Sequence, residues 1–325
     1  MEKDLTLLIP SYNKAPYIER MVKSLSEQTY IDRTKIIVCD DKSTDNSVEI
    51  LKQCANKYRV PMILFINDKN LGVSGNNRKL YKMIDTEFFA MMDVDDYYLV
   101  PYRLERAVEF LRTHPDYSMH GCNFYWETPD GNRRAAFPSN VANSSFDKYT
   151  TMPFFQTSAH TFRNFFDSRL LNAMDKLAGN KKVHFTSADA FRNFCAVHYG
   201  KIYLDNFFGS VYAMQVDSAW ASLSNFEKIL SQLNFDRELA KFSTEFFNDG
   251  ESANFLLNEY AKNYFATIDL LRLMMNDLSA KKFRLKPSMI EELNLQSDDI
   301  LAVVKYLLDQ ADFLKSIGAG RKLST

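Results

Sequence analysis

The sequence predicts an α/β fold that gives way to helices alone in its C-terminal part. Over the first hundred residues, apolar runs of strand length alternate with segments of helical periodicity. Three of the strand-like runs end in clusters of polar or acidic residues. Beyond about residue 225 only helical periodicity remains. We therefore expect a sheet domain over residues 1–222 and an all-helical extension over residues 223–325.

Four strands are predicted in the first hundred residues from short apolar runs. These runs occupy residues 5–9, 36–39, 62–66 and 87–92. Pro10 ends the first run because it lacks a backbone donor, and the second run ends at Asp40 and Asp41. The fourth leads directly into the acids that begin at Asp93. Ligands of open α/β sheets bind outside the carboxyl ends of the strands, so we expect a binding site among these polar residues.

Helices are predicted between the strands from apolar residues at helical spacing. The first repeat runs from Tyr17 to Leu25, and the segment 43–45 supplies capping side chains for the second helix. A third helix passes through Leu80 after a loop that contains glycine. Farther along the chain, mixed patterns predict strands at residues 122–126 and 201–205.

Charge and composition exclude several classes of protein. Forty basic and 41 acidic side chains leave a net charge of −1, so no global charge recruits nucleic acid. The four cysteines form no C-x-x-C pair, which is typical of reduced cytosolic thiols. The apolar run at the N-terminus is too short for a signal peptide, and no run reaches the ~18 residues of a membrane span. We expect a cytoplasmic protein, at most peripheral to the inner face of the membrane.

The triplet Asp93-Val94-Asp95 is a candidate metal site. It follows a predicted strand, whose end would hold both carboxylates beside one bound ion. Oxygen ligands of this kind suit Mn²⁺ or Mg²⁺, which would bridge to the phosphate oxygens of a substrate. A D-x-D triplet alone is common by chance, and a solvated loop is its alternative role.

The ends of the first two strands offer groups for a nucleotide base. Tyr12 provides a flat ring and Asn13 an amide, while Asp41 can accept the imino hydrogen of uracil. A turn and a helix cap are the alternative roles. The loop from Asn70 through Gly72 would bring backbone N–H groups toward a diphosphate, unless it is an ordinary flexible turn. Together these groups predict a nucleotide site, with a uridine nucleotide as the expected ligand.

Four separated motifs closely resemble those of family 2 glycosyltransferases with the GT-A fold, which are inverting enzymes of bacterial type. The motifs are LLIPSYNKAPYIERMVKSLSEQTY, IIVCDDKSTDNSVEILK, NDKNLGVSGNN and FFAMMDVDDYYLVPYRLE. The resemblance is strong over residues 4–113 and continues more loosely to about residue 220. It implies a mostly parallel sheet flanked by helices. It also implies transfer of a hexosyl or N-acetylhexosaminyl group from a nucleotide sugar to an acceptor hydroxyl.

The family pattern assigns roles to individual residues. It implies that Pro10, Tyr12 and Asp41 hold the nucleotide base. Asp93 and Asp95 are implied to hold the ribose, the diphosphate and a divalent ion, Mn²⁺ or Mg²⁺.

The catalytic base of such enzymes usually ends an acidic pair that precedes a helix in the second half of the domain. The matching segment here is VHFTSADAFRNFCAVHYGKIYLD, in which Asp189 takes the place of the base. Ala188 stands where the first acid of the pair would be. A plain helix cap is the alternative role for Asp189.

Two further positions depart from the family pattern. Family members commonly show Ala-Arg-Asn after the glycine loop, whereas this chain has Asn76-Asn77-Arg78. We expect Arg78 to reach the diphosphate from the next helical turn. Gln215 stands where a histidine often completes the metal shell. An amide oxygen is a poorer ligand than imidazole for Mn²⁺, so we expect a loosely held ion or a water at this position.

Two other functions stay open at this point. A sugar-phosphate nucleotidyltransferase uses a similar fold, but a lysine-bearing triphosphate loop is missing near the first strand. A catalytically silent nucleotide-sugar-binding or scaffold protein is the other alternative, and the intact Asp93, Asp95 and Asp189 oppose it. The expected acceptor is a glycan or glycoconjugate. The apolar stripe of the C-terminal helices is typical of helix packing, with peripheral membrane contact or a homo-oligomer interface as alternatives.

Overall fold

The protein is described here from a computed structural model, which covers residues 2–138, 143–153, 155–179, 188–215 and 225–279. Residues 2–179 and 188–215 belong to one compact unit, and residues 225–279 belong to a second. The exact boundary predicted between residues 222 and 223 lies outside the described residues and stays a prediction.

The first unit contains ten strands and six helices among its described residues. The strands are β1 Leu5–Ser11, β2 Thr34–Asp40, β3 Met62–Ile66, β4 Phe88–Met91, β5 Tyr97–Tyr98, β6 Tyr117–Glu127, β7 Arg133–Ala135, β8 Ser144–Phe146, β9 His160–Arg163 and β10 Lys201–Ala213. The helices are α1 Ile18–Ser26, α2 Ser47–Tyr58, α3 Gly72–Tyr81, α4 Arg103–Thr113, α5 Ser168–Gly179 and α6 Ala188–Tyr199.

These strands form one sheet in the order β3-β2-β1-β4-β9-β6-β10-β5, with β7 paired to β6 and β8 to β10. The first four strands run parallel, as does the pair of β6 and β10. The remaining pairs are antiparallel. The predicted α/β class with flanking helices is confirmed. Strands β1 to β4, which alternate with helices along the chain, form the parallel half of the sheet.

Helix α1 shows why the predicted helical spacing is correct. Ile18, Met21, Val22 and Leu25 lie on one face and are all 0 % exposed. Burying each such side chain contributes about 1.5–3 kcal/mol, so this face fixes the helix against the sheet. The anchored helix in turn places the residues just before it, including Lys14, beside the carboxyl end of β1.

Strands β6 and β10 are longer than the sequence predicted, and β6 is extended by buried polar residues. Ser118 and His120 are buried within β6, where an apolar run would be expected. The Ser118 hydroxyl donates to the Ala196 carbonyl over 2.6 Å, and His120 Nε2 lies 3.1 Å from an Asp205 carboxylate oxygen. Partners from distant parts of the chain satisfy these groups, which lets the strand pass through the core.

The described part of the second unit is helical, as predicted. Helix α7 spans Asn225–Phe242, a π-helical segment spans Ser243–Phe247, and α8 spans Gly250–Ser279. Among the described residues, none of the helices has the length and apolar character needed to cross a membrane. The expected contacts of the C-terminal helices with a membrane or a second copy stay untested.

A buried acid, Asp236, lies in α7 of this second unit. Its side chain is only 4 % exposed, and Gln232 Nε2 donates to its Oδ1 over 2.7 Å. Burial raises the pKa of Asp236 to about 7, and the nearby Glu259 adds to the rise. Hydrogen bonds from Gln232 and Asn263 offset part of it.

We predict that Asp236→Asn makes the second unit less sensitive to pH. The folded-state pKa exceeds the unfolded value, so the stability associated with protonated Asp236 is complete below pH 3.8 and is lost as the pH rises through about 7. The difference corresponds to at most about 4 kcal/mol. Thermal unfolding of the full chain at pH 5 and pH 8 checks this. Glu245→Gln, at an exposed acid, is the control, and equal pH dependence in all three proteins would contradict the prediction.

Candidate functional site

The parallel strands bring the predicted site residues to one edge of the sheet. In the register of β1 and β2, Ser11 lies beside Asp40, so Tyr12 and Asp41 emerge next to each other. Leu8 of β1 pairs with Met91 of β4, which places Asp93 just beyond the same edge. The base-binding and acidic groups that the sequence predicted are thus gathered by strand pairing alone.

Asp41 is the most highly bonded of these groups. It is 3 % exposed, and its Oδ1 accepts from Asn67 Nδ2 over 2.7 Å and from the Leu71 amide over 2.8 Å. Its Oδ2 accepts from the Gly72 amide over 2.8 Å. A carboxylate has about four acceptor positions, so one remains for a ligand. The negative charge also lies at the N-terminus of α3, where the helix dipole favours it.

The loop around Asn70 and Gly72 differs from the expectation. The Gly72 amide, expected to face a diphosphate, donates to Asp41 and to Asn70 Oδ1 instead. Gly72 has φ = +72°, a left-handed conformation that glycine adopts without strain, and it begins α3. The segment is therefore an ordered helix start held by Asp41. Its backbone N–H groups could bind phosphate only after their hydrogen bonds to Asp41 and Asn70 had broken.

Tyr12 lies exposed beside Asp41, with 44 % of its surface accessible. The next residue, Asn13, has φ = +51°, and its Oδ1 accepts from the Thr44 amide over 2.8 Å. Asn13 thereby joins the loops after β1 and β2, and the amide that was expected to contact the nucleotide has a structural contact here. Pro10 is half-buried within β1, beside Cys39.

Acidic residues crowd the end of β4. Asp93 and Asp95 are half-buried, and Asp96 is 1 % exposed. The Asp96 carboxylate accepts from the Ser158 hydroxyl over 2.5 Å and from the Ala213 amide over 3.1 Å. Burial and the charge of Asp95 raise the pKa of Asp93 to about 6, and burial with the two neighbouring acids raises the pKa of Asp96 well above its usual range. A cation at this place would relieve the repulsion, and carboxylate oxygens are ligands that a hard metal ion prefers. Among the described residues, however, no three acidic, histidine or cysteine side chains are grouped so that they could hold an ion by themselves.

Two residues that precede α1 contact the predicted metal ligands. Lys14 Nζ lies 2.7 Å from Asp95 Oδ2 and 5.5 Å from the centroid of the Tyr17 ring. The Tyr17 hydroxyl donates to Gln215 Oε1. Asp95 and Gln215 are therefore brought to the same neighbourhood, each with a partner from this short segment. Sequence reasoning missed Lys14 and Tyr17 because nothing in the local pattern links them to residues far along the chain.

Asp189 lies in the first turn of α6, and its Oδ1 accepts from the Ala190 amide over 2.8 Å. Burial raises the pKa of its carboxyl, and the Arg192 guanidinium partly offsets the rise. The charge of Asp189 also contributes to the raised pKa of Asp93. Asp189 is therefore close enough to Asp93 for its charge to affect the pKa of that acid. A role as a helix cap alone does not require this proximity.

Arg78, which is predicted to reach the diphosphate, contacts an acid of α5 in this structure. Its Nη1 is 3.6 Å from Asp175 Oδ1 of α5, which is also paired with Lys82. The cation that does approach the base site is Lys79, whose Nζ donates to Asn67 Oδ1 over 2.6 Å. One helical residue is 100° from the next, so the two neighbours point to different surroundings. The polar Asn67 directly after β3 was the signal that could have indicated this contact.

The chain belongs to glycosyl transferase family 2, whose family model matches residues 6–175. It is 31% identical over 113 residues to the processive diacylglycerol beta-glycosyltransferase of Mycoplasma pneumoniae, a match that covers 34% of this chain and 33% of that protein. It is 26% identical over 280 residues to the chondroitin synthase of Pasteurella multocida, a match that covers 82% of this chain and 27% of that protein. The chain therefore spans a third or less of the length of these relatives.

The fold resembles that of a solved glycosyltransferase structure. S. aureus TarS 1-349, in complex with UDP-GlcNAc, superposes with a TM-score of 0.59 at 16% sequence identity. The match covers 81% of this chain and 73% of that chain. It confirms the GT-A-like fold that the sequence motifs implied.

We predict that Asp41→Asn loosens the start of α3. The substitution replaces one of the two carboxylate oxygens by an NH2 donor, so either the Leu71 amide, bonded to Oδ1, or the Gly72 amide, bonded to Oδ2, loses its acceptor. A buried group left unpaired in this way costs about 1–3 kcal/mol. Hydrogen exchange should accelerate at one or both of the Leu71 and Gly72 amides, with a lower melting temperature. Asn70→Ala is the control, because it removes one exposed bond to Gly72 and leaves Asp41 intact. Exchange that is unchanged in Asp41→Asn would show that Asp41 does not hold the helix start.

Proposed function

We propose that the first unit is a metal-dependent, inverting glycosyltransferase that uses a UDP-sugar. The observation that carries the proposal is the convergence, at one sheet edge, of the exposed Tyr12, the buried Asp41 and the acids Asp93 and Asp95. Membership of glycosyl transferase family 2 supports it. The transferred group is a hexosyl or N-acetylhexosaminyl unit, and the similarity to a chondroitin synthase favours a glycan or glycoconjugate acceptor.

The chemistry of Asp41 favours uracil and guanine over cytosine. Its remaining acceptor position suits a base that donates a ring N–H, as uracil and guanine do. Cytosine presents an acceptor at the same ring position, and a carboxylate would repel it. Tyr12 would cover one face of the bound ring. The UDP-GlcNAc of the TarS structure is in keeping with the choice of uridine over guanosine.

Asp93 and Asp95 would hold the Mn²⁺ or Mg²⁺ ion beside the diphosphate. When bound, the ion would supply Lewis-acid stabilisation of the charge that develops on the leaving diphosphate. Lys14 is paired with Asp95, and its ammonium would be available to a phosphate oxygen if Asp95 bound another cation instead. Gln215, bonded to Tyr17, is assigned the weaker third position.

Asp189 is the proposed general base. Its carboxylate takes the proton of the acceptor hydroxyl while the acceptor oxygen bonds to the sugar C1 atom. The bond between C1 and the diphosphate oxygen breaks at the opposite face, so the configuration at C1 inverts. A base acts best when its pKa approaches the working pH, and burial raises the pKa of Asp189 in that direction.

A catalytically silent nucleotide-sugar-binding protein is the second candidate. The observation that favours it is that Lys14 already neutralises Asp95, while Gln215 is engaged by Tyr17. Such a protein would bind UDP-sugars without releasing UDP. Donor turnover separates the two functions.

The four cysteines are free and buried, which supports a cytoplasmic location as part of the proposal.

UDP is expected to bind more tightly than GDP or CMP in calorimetry with Mn²⁺ present. Asp41→Ala should weaken UDP by about 1–3 kcal/mol through loss of the buried acceptor. Tyr12→Ala should weaken it by a similar amount, whereas Tyr12→Phe, which keeps the ring, should not. Asp68→Ala, at an exposed acid just after β3, is the control. A preference for CMP or GDP would contradict the assignment of the base site.

Turnover is expected to stop with a chelator and to return with Mn²⁺ or Mg²⁺. Asp95→Ala should abolish this response, because one carboxylate holds an octahedral ion poorly against water. Lys14→Met removes the competing ammonium, so Mn²⁺ binding without nucleotide, followed by electron paramagnetic resonance, should tighten. Asp85→Ala, at an exposed acid paired with Lys35, is the control. Full turnover in excess chelator would rule out the metal site.

Asp189→Asn should leave UDP affinity nearly unchanged and slow transfer by a factor of about 10² to 10⁴, the range for a lost general base. Until an acceptor is known, release of UDP from UDP-GlcNAc by water is the assay. Asparagine caps helices almost as well as aspartate, so a purely structural role predicts full activity. Asp116→Asn, at an exposed acid, is the matched control.

A further inference from the structure

Arg20, in the first turn of α1, contacts the acidic loop that follows β4 and has no part in the proposed reaction. Its Nη2 donates to the backbone carbonyl of Asp95 over 3.0 Å, and its Nη1 donates to Glu127 Oε1 over 2.9 Å. Its Cζ atom also lies 4.3 Å from the centroid of the Tyr97 ring. One side chain therefore links the loop that carries Asp95 to the end of β6.

Glu127 is a firmly held anchor for Arg20. It is 9 % exposed, and its Oε2 accepts from the Tyr97 hydroxyl and from Arg133 Nε, each over 2.8 Å. Arg133 Nη2 donates in turn to the Tyr97 hydroxyl over 2.6 Å. Donors from α1, β5 and β7 therefore fix both oxygens of one carboxylate. Hydrogen bonds between charged groups are stronger than neutral ones, so the end of this carboxylate has little freedom to move.

The backbone of Glu127 reaches a second segment of the candidate site, at the end of β10. The Met214 amide donates to the Glu127 carbonyl over 2.8 Å, one residue before Gln215. Tyr17, three residues before Arg20, donates to Gln215 Oε1. Glu127 and the start of α1 thus contact the segments of both Asp95 and Gln215, so these contacts set where the two segments lie relative to each other.

Lys14 and Arg20 contact Asp95 at different atoms. Lys14 Nζ pairs with the carboxylate oxygen Oδ2, which is an atom that a cationic ligand would also use. Arg20 bonds the backbone carbonyl, so its contact can persist when the carboxylate changes its partner. Arg20 therefore restrains the main chain of the loop and leaves the Asp95 carboxylate available to a ligand.

We propose that Arg20 is a positioning residue that, anchored on Glu127, holds the backbone at Asp95 in the conformation that binds the metal ion and the diphosphate. This inference rests on the proposed function, in which Asp95 is a ligand of that ion. A loop that is already held in its binding conformation loses less conformational entropy when the ligand binds. A small displacement of a group at the reacting centre costs a large part of the rate.

Charge and position predict opposite effects of removing Arg20. A guanidinium repels a nearby divalent ion, so its charge alone predicts that Arg20→Met tightens the binding of Mn²⁺. A positioning role predicts that the same substitution weakens it. Arg133→Met is the matched control, because it also removes an arginine bonded to Glu127, and the contacts of Arg133 are with Glu127 and Tyr97 rather than with the carbonyl of Asp95.

The experiment measures Mn²⁺ binding with UDP present by electron paramagnetic resonance, together with UDP affinity without metal, UDP release from UDP-GlcNAc and melting temperature. Arg20→Met is expected to weaken Mn²⁺ binding about 10-fold and to lower kcat by a similar factor, with the metal-free Kd for UDP within about 3-fold of wild type. Arg133→Met should stay within about 3-fold in all three. Arg20→Lys keeps the charge but cannot hold two acceptors in a fixed geometry, so it should also weaken Mn²⁺ binding, and it decides if Arg20→Met does not fold.

Mn²⁺ binding that is unchanged or tighter in Arg20→Met would overturn the inference. So would equal losses in Arg20→Met and Arg133→Met, which would reflect only a weakened Glu127, or full activity in Arg20→Lys. In each of these cases the wild-type chain binds Mn²⁺ with UDP and releases UDP from its donor, so the proposed function stands. A wild-type chain that does neither would overturn the proposed function, and this inference would fall with it.

Discussion

Repulsion among partly buried carboxylates is the constraint on which the rest of the site depends. Asp93, Asp95 and Asp96 follow one short strand, and the charge of Asp189 also reaches Asp93. Such a cluster would be unfavourable without compensation, because burial and like charge both oppose ionisation. The chain supplies two counter-charges from different elements, Lys14 before α1 and Arg192 in α6. Lys14 forms a direct ion pair with Asp95. The buried charge of Arg192 offsets part of the rise that burial causes in the pKa of Asp93 and of Asp189, without a direct ion pair among the described residues.

The two counter-charges differ in how easily a ligand could change their contacts. Lys14 is on a long, flexible side chain, 23% exposed, so its contact with Asp95 can be exchanged for a contact with an anionic ligand. Arg192 is enclosed by the fold, so its position changes only if α6 moves. Lys14 can therefore change its partner when an anionic ligand binds, whereas Arg192 cannot do so without a movement of α6. The parallel register of β1, β2 and β4 makes both arrangements possible by fixing the acids at the sheet edge.

The first half of the sheet could be predicted from sequence because its elements are encoded locally. Strands β1 to β4 are short apolar runs with clear terminators, and α1 has an unbroken apolar face. Strands β6 and β10 could not be delimited, since their buried polar residues depend on distant partners such as Asp205. For the same reason the sequence indicated Asp41, Asp93 and Asp189 but not their partners. Lys14 lies 81 residues from Asp95, and no local pattern records that contact.

A crystal structure of the chain with UDP-GlcNAc and Mn²⁺ would test the central claim most directly. We expect the uracil ring on Tyr12 with its N3 atom at hydrogen-bond distance from Asp41. The diphosphate should lie beside Asp93 and Asp95, with the Lys14 ammonium moved from Asp95 toward a phosphate oxygen. A nucleotide bound away from the carboxyl ends of β1 and β2 would contradict the account. So would a nucleotide whose diphosphate lies far from Lys14 and Asp95 and leaves their ion pair unbroken.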